Sequence, residues 1–238
     1  MIALSTAGRI LRQLRHDRRT VALLLVVPSV LLALLYFMYS DAPRTFDRVA
    51  LVMLGIFPFT IMFLVTSIAM LRERTSGTLE RLLTTPLRKT DLLFGYGLAF
   101  SLAAAVQGAV ATGVAYWLLG LDTTTNTGLV LLIAVVDAVL GVALGLLCSA
   151  FARTEFQAVQ FLPVVVVPQI LLCGLFVPRG QMAGWLQAIS DALPLTYAVE
   201  ALTRADADAT MWRDLVIVAG AALVALILAA ATLRRRTA

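Results

Sequence analysis

Three polar side chains, Gln107, Asp137 and Gln169, interrupt long apolar runs and are the first places to look for chemistry. Asp137 falls near the middle of the run 128–149, where a charge surrounded by hydrocarbon costs at least about 2.5 to 3.5 kcal/mol. It cannot face lipid as a bare anion. Either it lines a substrate path or a proton relay, or it is protonated or hydrogen-bonded to a neighbouring segment through Gln107 or Gln169. No lysine or arginine lies at comparable depth to neutralise it. A second polar cluster, residues 71–93 (LRERTSGTLERLLTTPLRKTDLL), sets a compact charged module between two apolar segments, as a mechanical coupling element would.

Enzymatic chemistry is poorly served. The phosphate-cradling GxxxxGK[ST] loop is absent, because the single lysine, Lys89, follows Leu-Arg without preceding glycines. There is no Ser-His-Asp set, no HExxH and no carboxylate pair, and the one histidine, His16, sits among arginines in a solvated or headgroup-facing position. Cys148 and Cys173 fall inside apolar runs, where cysteine behaves as a small hydrophobe, with no CxxC and no nearby histidine. We expect no catalytic residue, no metal site, no disulfide and no cofactor bound by this chain.

The elements that must position these residues are membrane helices. Hydrophobic residues make up 61% of the chain, mean hydropathy is +0.93, and charged residues are only 14%, about half of the soluble-domain average. A span needs about 20 mainly apolar residues. Six segments qualify, 21–39, 49–71, 96–119, 128–149, 158–176 and 215–233, so residues 1–238 are expected to form one transmembrane domain.

Orientation follows from basic residues, which accumulate on the cytoplasmic side. Of the 19, 14 fall on one side: Arg9 to Arg19, Arg72 to Lys89, Arg153, and Arg234 to Arg236. Both termini are predicted inside. The sequence pI near 9.8 comes from these membrane flanks, so nucleic-acid binding is a poor explanation for it. Arginine outnumbers lysine 18 to 1, as in GC-rich bacterial genomes, which puts the chain in a bacterial inner membrane. Before the first span, Leu4, Ala7, Ile10, Leu11 and Leu14 recur at helical spacing between arginines. That is the pattern of a helix lying on an anionic inner leaflet; plain topogenic charge is the alternative. The first apolar run is too long for a secretory signal core, and Pro43 follows the only small-residue site.

Between the second and third spans, Ser76 or Gly77 can open a short helix. Glu80 falls in its first turn, Leu79, Leu82 and Leu83 form an apolar edge, Pro86 ends it, and Thr90 can cap the third span. Two turns are unstable alone, so the helix must dock against something; a membrane-surface turn is the competing description. Outside the fifth span, Trp185, Tyr197 and Trp212 are rings of the kind that settle at an interface. Helical stretches 181–192 and 196–205, broken by Pro194, suit a re-entrant hairpin on the exit side of a path or an amphipathic loop on the outer leaflet. Pro28, Pro58, Pro163 and Pro168 interrupt their spans. The Gly141/Gly145 GxxxG spacing, and Gly108 with Gly113, fit either packing within the bundle or a dimer seam.

Glu73, Gly77-Thr78-Leu79-Glu80, Leu82-Leu83 and Thr85-Pro86 resemble the signature of type-2 ATP-binding-cassette (ABC) permeases, particularly the daunorubicin-resistance-like drug and lipid exporters. Phe176, Pro178, Trp185-Leu186-Gln187, Ile189-Ser190, Pro194-Leu195-Thr196-Tyr197 and Glu200-Ala201-Leu202 resemble that family's external segment. Two positions depart from its pattern, Ala183 where proline is common and Tyr96 near where a basic residue is common. The resemblance implies an all-α membrane protein with six transmembrane helices, an N-terminal interfacial helix, a short cytoplasmic coupling helix and an external re-entrant hairpin before the last span.

By the same resemblance the helix 77–84 seats in a cleft of a partner ATPase, with Glu73 and Glu80 as ion-pairing contacts and Leu79, Leu82 and Leu83 as apolar ones. Two ATPase subunits, carrying ATP and Mg, and a second copy or homologue of this permease would complete an exporter of drugs or lipids. Two other readings stand beside it. One is a proton-coupled secondary transporter using Asp137, although the expected internal repeats are not evident; the other is a non-transporting membrane scaffold.

Overall fold

The computed structural model describes residues 2–75, 89–123, 126–204 and 209–232. Its helices follow the apolar runs, with ends set by local capping chemistry. An amphipathic α1 (Ile2–His16) ends where Asp17 caps α2 (Arg18–Met38) by accepting from the Thr20 amide. The helix α3 (Pro43–Thr75) has proline in its first turn, where the missing N–H is harmless. After it, α4 (Lys89–Gly113) runs into a π-helical turn, Val114–Leu118. Gly120 then reverses the chain at φ +68°, a conformation that costs other residues a steric penalty.

Asn126 caps α5 (Thr127–Ser149), and Thr154 caps α6 (Glu155–Phe161), which continues through a π turn (Leu162–Val166) into α7 (Val167–Leu172). Gly174, at φ +95°, leads out of this span. A 3-10 turn (Arg179–Gln181), α8 (Gly184–Ala192) and α9 (Pro194–Thr203) form the hairpin, and α10 (Ala209–Thr232) closes the described chain. Six of these segments are long and apolar enough to cross a membrane.

The six expected spans are present with shifted ends: the first begins at Arg18 and not 21, the fifth runs Glu155–Leu172 and not 158–176, and the last includes residues from Ala209, before 215. The second begins at Pro43, not 49, because a helix extends beyond its apolar part. The third begins at Lys89, which places Thr90 inside the helix rather than at its cap, and ends in the π turn at Leu118. Helices α2 and α3 run on through Pro28 and Pro58, so neither proline interrupts its span. Pro163 and Pro168 do alter theirs: the Val167 amide bonds to the Leu162 carbonyl across a wide turn that includes Pro163 and ends just before Pro168. The first hairpin helix starts at Gly184 instead of 181, and Pro194 opens the second helix at its first position instead of merely breaking the pair.

The core centres on α3. Its largest interface is with α5, and α10, α4 and α9 pack around this pair. The GxxxG glycines lie in that interface: a Cβ on Gly141 would sit 2.3 Å from the Phe59 carbonyl oxygen, and one on Gly145 2.6 Å from that of Phe63. Gly108 faces the Val135 side chain instead, where a Cβ would sit 3.1 Å from Cγ2. These small residues serve packing within the bundle. By contrast α2 and the fifth span are mostly exposed, with Phe37, Val26, Phe156 and Val164 facing outward.

Candidate functional site

At one end of the bundle, the last turns of α3 are fastened to two other elements. Arg72 forms a bidentate pair with Glu155 at the start of α6, at 2.7 and 3.0 Å, and Arg74 donates to the Ser149 carbonyl at the end of α5. Glu73 pairs with Arg9 of α1 at 3.7 Å, and Arg9 also reaches the Tyr96 hydroxyl at 3.4 Å. The amphipathic face of α1 explains that geometry: Ala7 and Ile10 are buried with Met70, Tyr96 and Phe100, which brings Arg9 over the end of α3. The structure therefore engages Glu73 within the chain. Gly77, Thr78, Leu79, Glu80, Leu82, Leu83 and Pro86, the rest of the expected ATPase contact, lie outside the described residues.

In the middle of the bundle Asp137 is fully buried, and neither carboxylate oxygen has a hydrogen-bond partner among the described residues. It lies beside Gly55: a Cβ there would be 3.4 Å from Asp137 Oδ2 and 3.0 Å from Cδ1 of Leu202 in α9. Gln107 is equally buried and unpartnered among the described residues. Gln169 has a different task. Its Nε2 donates to the Val165 carbonyl at 3.0 Å, and its Oε1 accepts from the Leu195 amide at 3.3 Å, satisfying an orphan donor in the first turn of α9. The expected hydrogen bonds from Gln107 or Gln169 to Asp137 are not formed. Gln169 is already used by the Val165 carbonyl and the hairpin.

At the opposite end, α9 is driven into the bundle by Leu195, Ala198, Val199, Ala201 and Leu202, all buried against α3, α5 and α10. The shorter α8 lies outside it with Trp185 exposed. Polar contacts lock the two together. Ser190 Oγ donates to the Leu172 carbonyl at 2.9 Å and meets the Thr196 hydroxyl at 3.2 Å, and the Tyr197 hydroxyl donates to the Asp191 carbonyl at 2.7 Å.

Arg179 is the hub of this end, pairing with both Glu200 and Asp191 and lying 5.9 Å from the Tyr197 ring centroid. Partial burial opposes its charge, but the Glu200 bond and the two carboxylates outweigh that and raise its pKa further. The chain of charges continues from Glu200 to Arg204 and on to buried Asp214, which Arg204 and Arg213 neutralise at 3.3 and 3.1 Å. A small cavity of about 170 Å³ opens here between Arg48, Val52, Cys173, Arg179 and Val199, one helical turn outward of the Gly55, Leu202 and Asp137 contact.

Asp137 thus lies at the Gly55 contact beneath α9, Gln169 and Tyr197 meet other parts of the hairpin, and Glu73 lies at the opposite end. Sequence reasoning missed Arg179, the ion-pairing role of Glu200, Gly55 and Asp214. An arginine immediately after Pro178, on the side that carries few basic residues, followed by carboxylates at 191 and 200, was the available signal for the first two.

The geometry is that of a helix bundle with an amphipathic leader at one end and a buried hairpin at the other, and sequence comparison says where such a bundle belongs. Residues 2–205 match the ABC-2 type transporter family. The chain belongs to that family. It is a multi-pass membrane protein. Among relatives, ABC transporter G family member 20 of Dictyostelium discoideum is 30% identical over 58% of this chain and 19% of its own length. The probable multidrug ABC transporter permease YbhR of Escherichia coli is 29% identical over 56% of this chain and 36% of its own. The linearmycin resistance permease protein LnrN of Bacillus subtilis is 25% identical over 68% of this chain and 43% of its own. The alignments thus span less than half the length of each of these family members.

Proposed function

We propose that this chain is the membrane-spanning permease subunit of an ATP-driven exporter that moves a hydrophobic or amphipathic compound, a drug or a lipid, out across the bacterial inner membrane. A separate ATPase subunit, present twice per complex and holding ATP and Mg, supplies the energy, and a second permease copy or homologue completes the pathway. The observation that carries the reading is the family match over 2–205 on a bundle whose second hairpin helix, α9, is buried against its central helices. The multidrug and resistance names of two relatives support the substrate class.

In this reading both termini are cytoplasmic. Residues 77–84 seat in the ATPase, with Glu80 and the three leucines as contacts. The fastening of Arg72, Glu73 and Arg74 to α6, α1 and α5 passes force from that segment into the bundle. Asp137 and Gln107 face the moving core of the pathway. The chain itself hydrolyses nothing.

Co-purification in detergent with candidate ABC ATPases tests this. Wild type is expected to form a stable complex and to modulate ATP turnover, and Glu80→Arg combined with Leu83→Asp is expected to lose both. Absence of any ATPase partner, together with proton-driven uptake into liposomes that depends on Asp137, would replace this reading with secondary transport.

A further inference from the structure

Where α1 turns into α2, Arg12, Arg15, Arg18 and Arg19 are all exposed. Arg12 donates to the Gly8 carbonyl of its own helix, while the side chains of Arg15, Arg18 and Arg19 make no hydrogen bond or ion pair among the described residues. Their neighbours on α1 and α3 are spent within the fold: Arg9 on Glu73, Arg72 on Glu155 and Arg74 on the Ser149 carbonyl. Asp17 stands among the free arginines without neutralising them. Its carboxylate accepts from the Thr20 amide at 3.2 Å and the Thr20 hydroxyl at 2.6 Å, is drawn toward Arg72, and lines the groove that faces α3, which Arg15, Arg18 and Arg19 do not. Nor do Arg18 and Arg19 serve the helix they open. No acidic residue shares the first turn of α2, and the positive end of a helix dipole disfavours cations there.

Beyond Arg19 the exposed face of α2 is an apolar stripe. Val26, Val30 and Phe37 continue it at helical spacing, on the side away from buried Leu24, Pro28 and Leu32. At about 1.5 Å per residue, Arg19 to Val30 covers about 16 Å, the depth of one leaflet of the roughly 30 Å hydrocarbon layer. Because α2 is long and apolar enough to cross the membrane, its arginines fall at headgroup level and the stripe among acyl chains.

We propose that the outer side of this elbow is a binding site for an anionic phospholipid: Arg15, Arg18 and Arg19 hold the headgroup phosphate, and an acyl chain lies along Val26 and Val30. Guanidinium forks match phosphate oxygens. Phosphatidylcholine offers the same phosphate but brings a cation that the arginines repel, whereas phosphatidylglycerol brings none. The site depends on a membrane around α2 and not on the exporter reading, which supplies only the side, the inner leaflet.

Native mass spectrometry of the full chain, released from mixed micelles of equal phosphatidylglycerol and phosphatidylcholine, tests this. Wild type should retain one phosphatidylglycerol per chain, enriched about tenfold over phosphatidylcholine. Arg18→Gln with Arg19→Gln should abolish the enrichment, and since neither side chain bonds within the described fold the variant should melt with wild type. Arg234→Gln with Arg235→Gln, which removes the same charge elsewhere, should leave the enrichment intact. Excess glycerol 3-phosphate, a phosphate without acyl chains, should not displace the lipid.

No preference for phosphatidylglycerol overturns the site. Equal loss in both double variants also overturns it, because diffuse positive charge then suffices. Displacement by glycerol 3-phosphate overturns the lipid assignment in favour of a soluble anion. Lipid carried by monomers and absent from dimers gives this face to a second copy and overturns the proposal as well.

Discussion

Replacing Gly141 by alanine places a methyl group in the seam where α5 meets α3, and the backbone fixes the size of the penalty. The new Cβ would lie 2.3 Å from the Phe59 carbonyl oxygen and 3.1 Å from two more Phe59 backbone atoms, where ordinary contact starts near 3.4 Å. The helices must therefore part by about 1.1 Å at the centre of the largest interface in the fold, and backbone atoms have no rotamer to escape into. Overpacking costs about 1–3 kcal/mol and sometimes more. A clash against a carbonyl belongs at the upper end, about 3 kcal/mol, offset by the roughly 0.5–1 kcal/mol that alanine gains over glycine inside a helix. The net loss of about 2 kcal/mol corresponds to a melting temperature lower by about 4–8 °C.

Two other glycines calibrate the result. Gly145→Ala meets the Phe63 carbonyl at 2.6 Å and should fall slightly less, while Gly220 has nothing within 4 Å and its alanine should melt at or above wild type. Thermal unfolding of the purified variants in one detergent, followed by tryptophan fluorescence, gives the order directly. If Gly141→Ala and Gly220→Ala melt together, α3 and α5 do not meet at this seam and the GxxxG stripe faces something else.

Arg179→Met removes the hub between Asp191, Glu200 and Tyr197. Amides of 184–203 should then exchange about tenfold faster, with the amides of α5 unchanged, in hydrogen-exchange mass spectrometry. Gly55→Ala pushes on the flexible end of Leu202 at 3.0 Å and not on backbone, so it should cost only about 1 kcal/mol. A double-mutant cycle with Leu202→Val should recover part of that loss, and additivity would place the hairpin away from Gly55. The Asp17 carboxyl is held below its ordinary value of 3.8 by its side-chain bond from Thr20. A depressed carboxylate stabilises above its unfolded value and loses that contribution as pH falls through the folded one. Protection of the Thr20 amide should therefore persist at pH 5 and fade below about 3.8, while Asp17→Asn should show no such step.

Much of this architecture is legible in the sequence, because the bilayer imposes a simple length rule and hydropathy reads it directly. The expected span 128–149 lies within one residue of the helix and 21–39 within three. Less legible is whatever depends on which surface a helix meets. Gly141 and Gly145 have the same spacing whether they pack on Phe59 and Phe63 or on a second chain, and only the fold decides. Gln169 is a lone polar residue in an apolar run until Leu195 is seen to need an acceptor. Pro194 reads as a breaker from one side and as a favourable first residue of a helix from the other. Helix α3 exceeded its apolar run because Arg44, Asp47 and Arg48 are tolerated in a helix once it leaves hydrocarbon.

That excess length has mechanical meaning. At about 1.5 Å per residue, the 33 residues of α3 extend about 50 Å, well beyond the roughly 30 Å hydrocarbon layer. One helix therefore carries both the Arg72 and Arg74 fastenings at one end and Gly55, on which α9 rests, between its middle and the other end. Its seam with α5 is too close for the two to slide past each other, since Gly141 and Gly145 touch carbonyls on two successive turns. A displacement applied beyond Thr75 must then move α3, α5 and α9 as one block. Relative motion is left to the elements that bury least, α2 and the fifth span, and the fifth span carries a π turn that includes Pro163 and ends just before Pro168. On the proposed function, the coupling stroke would shear this block against α2 and α6–α7, and the place beside Gly55 where Leu202 and Asp137 both pack would open only if α9 parts from α3.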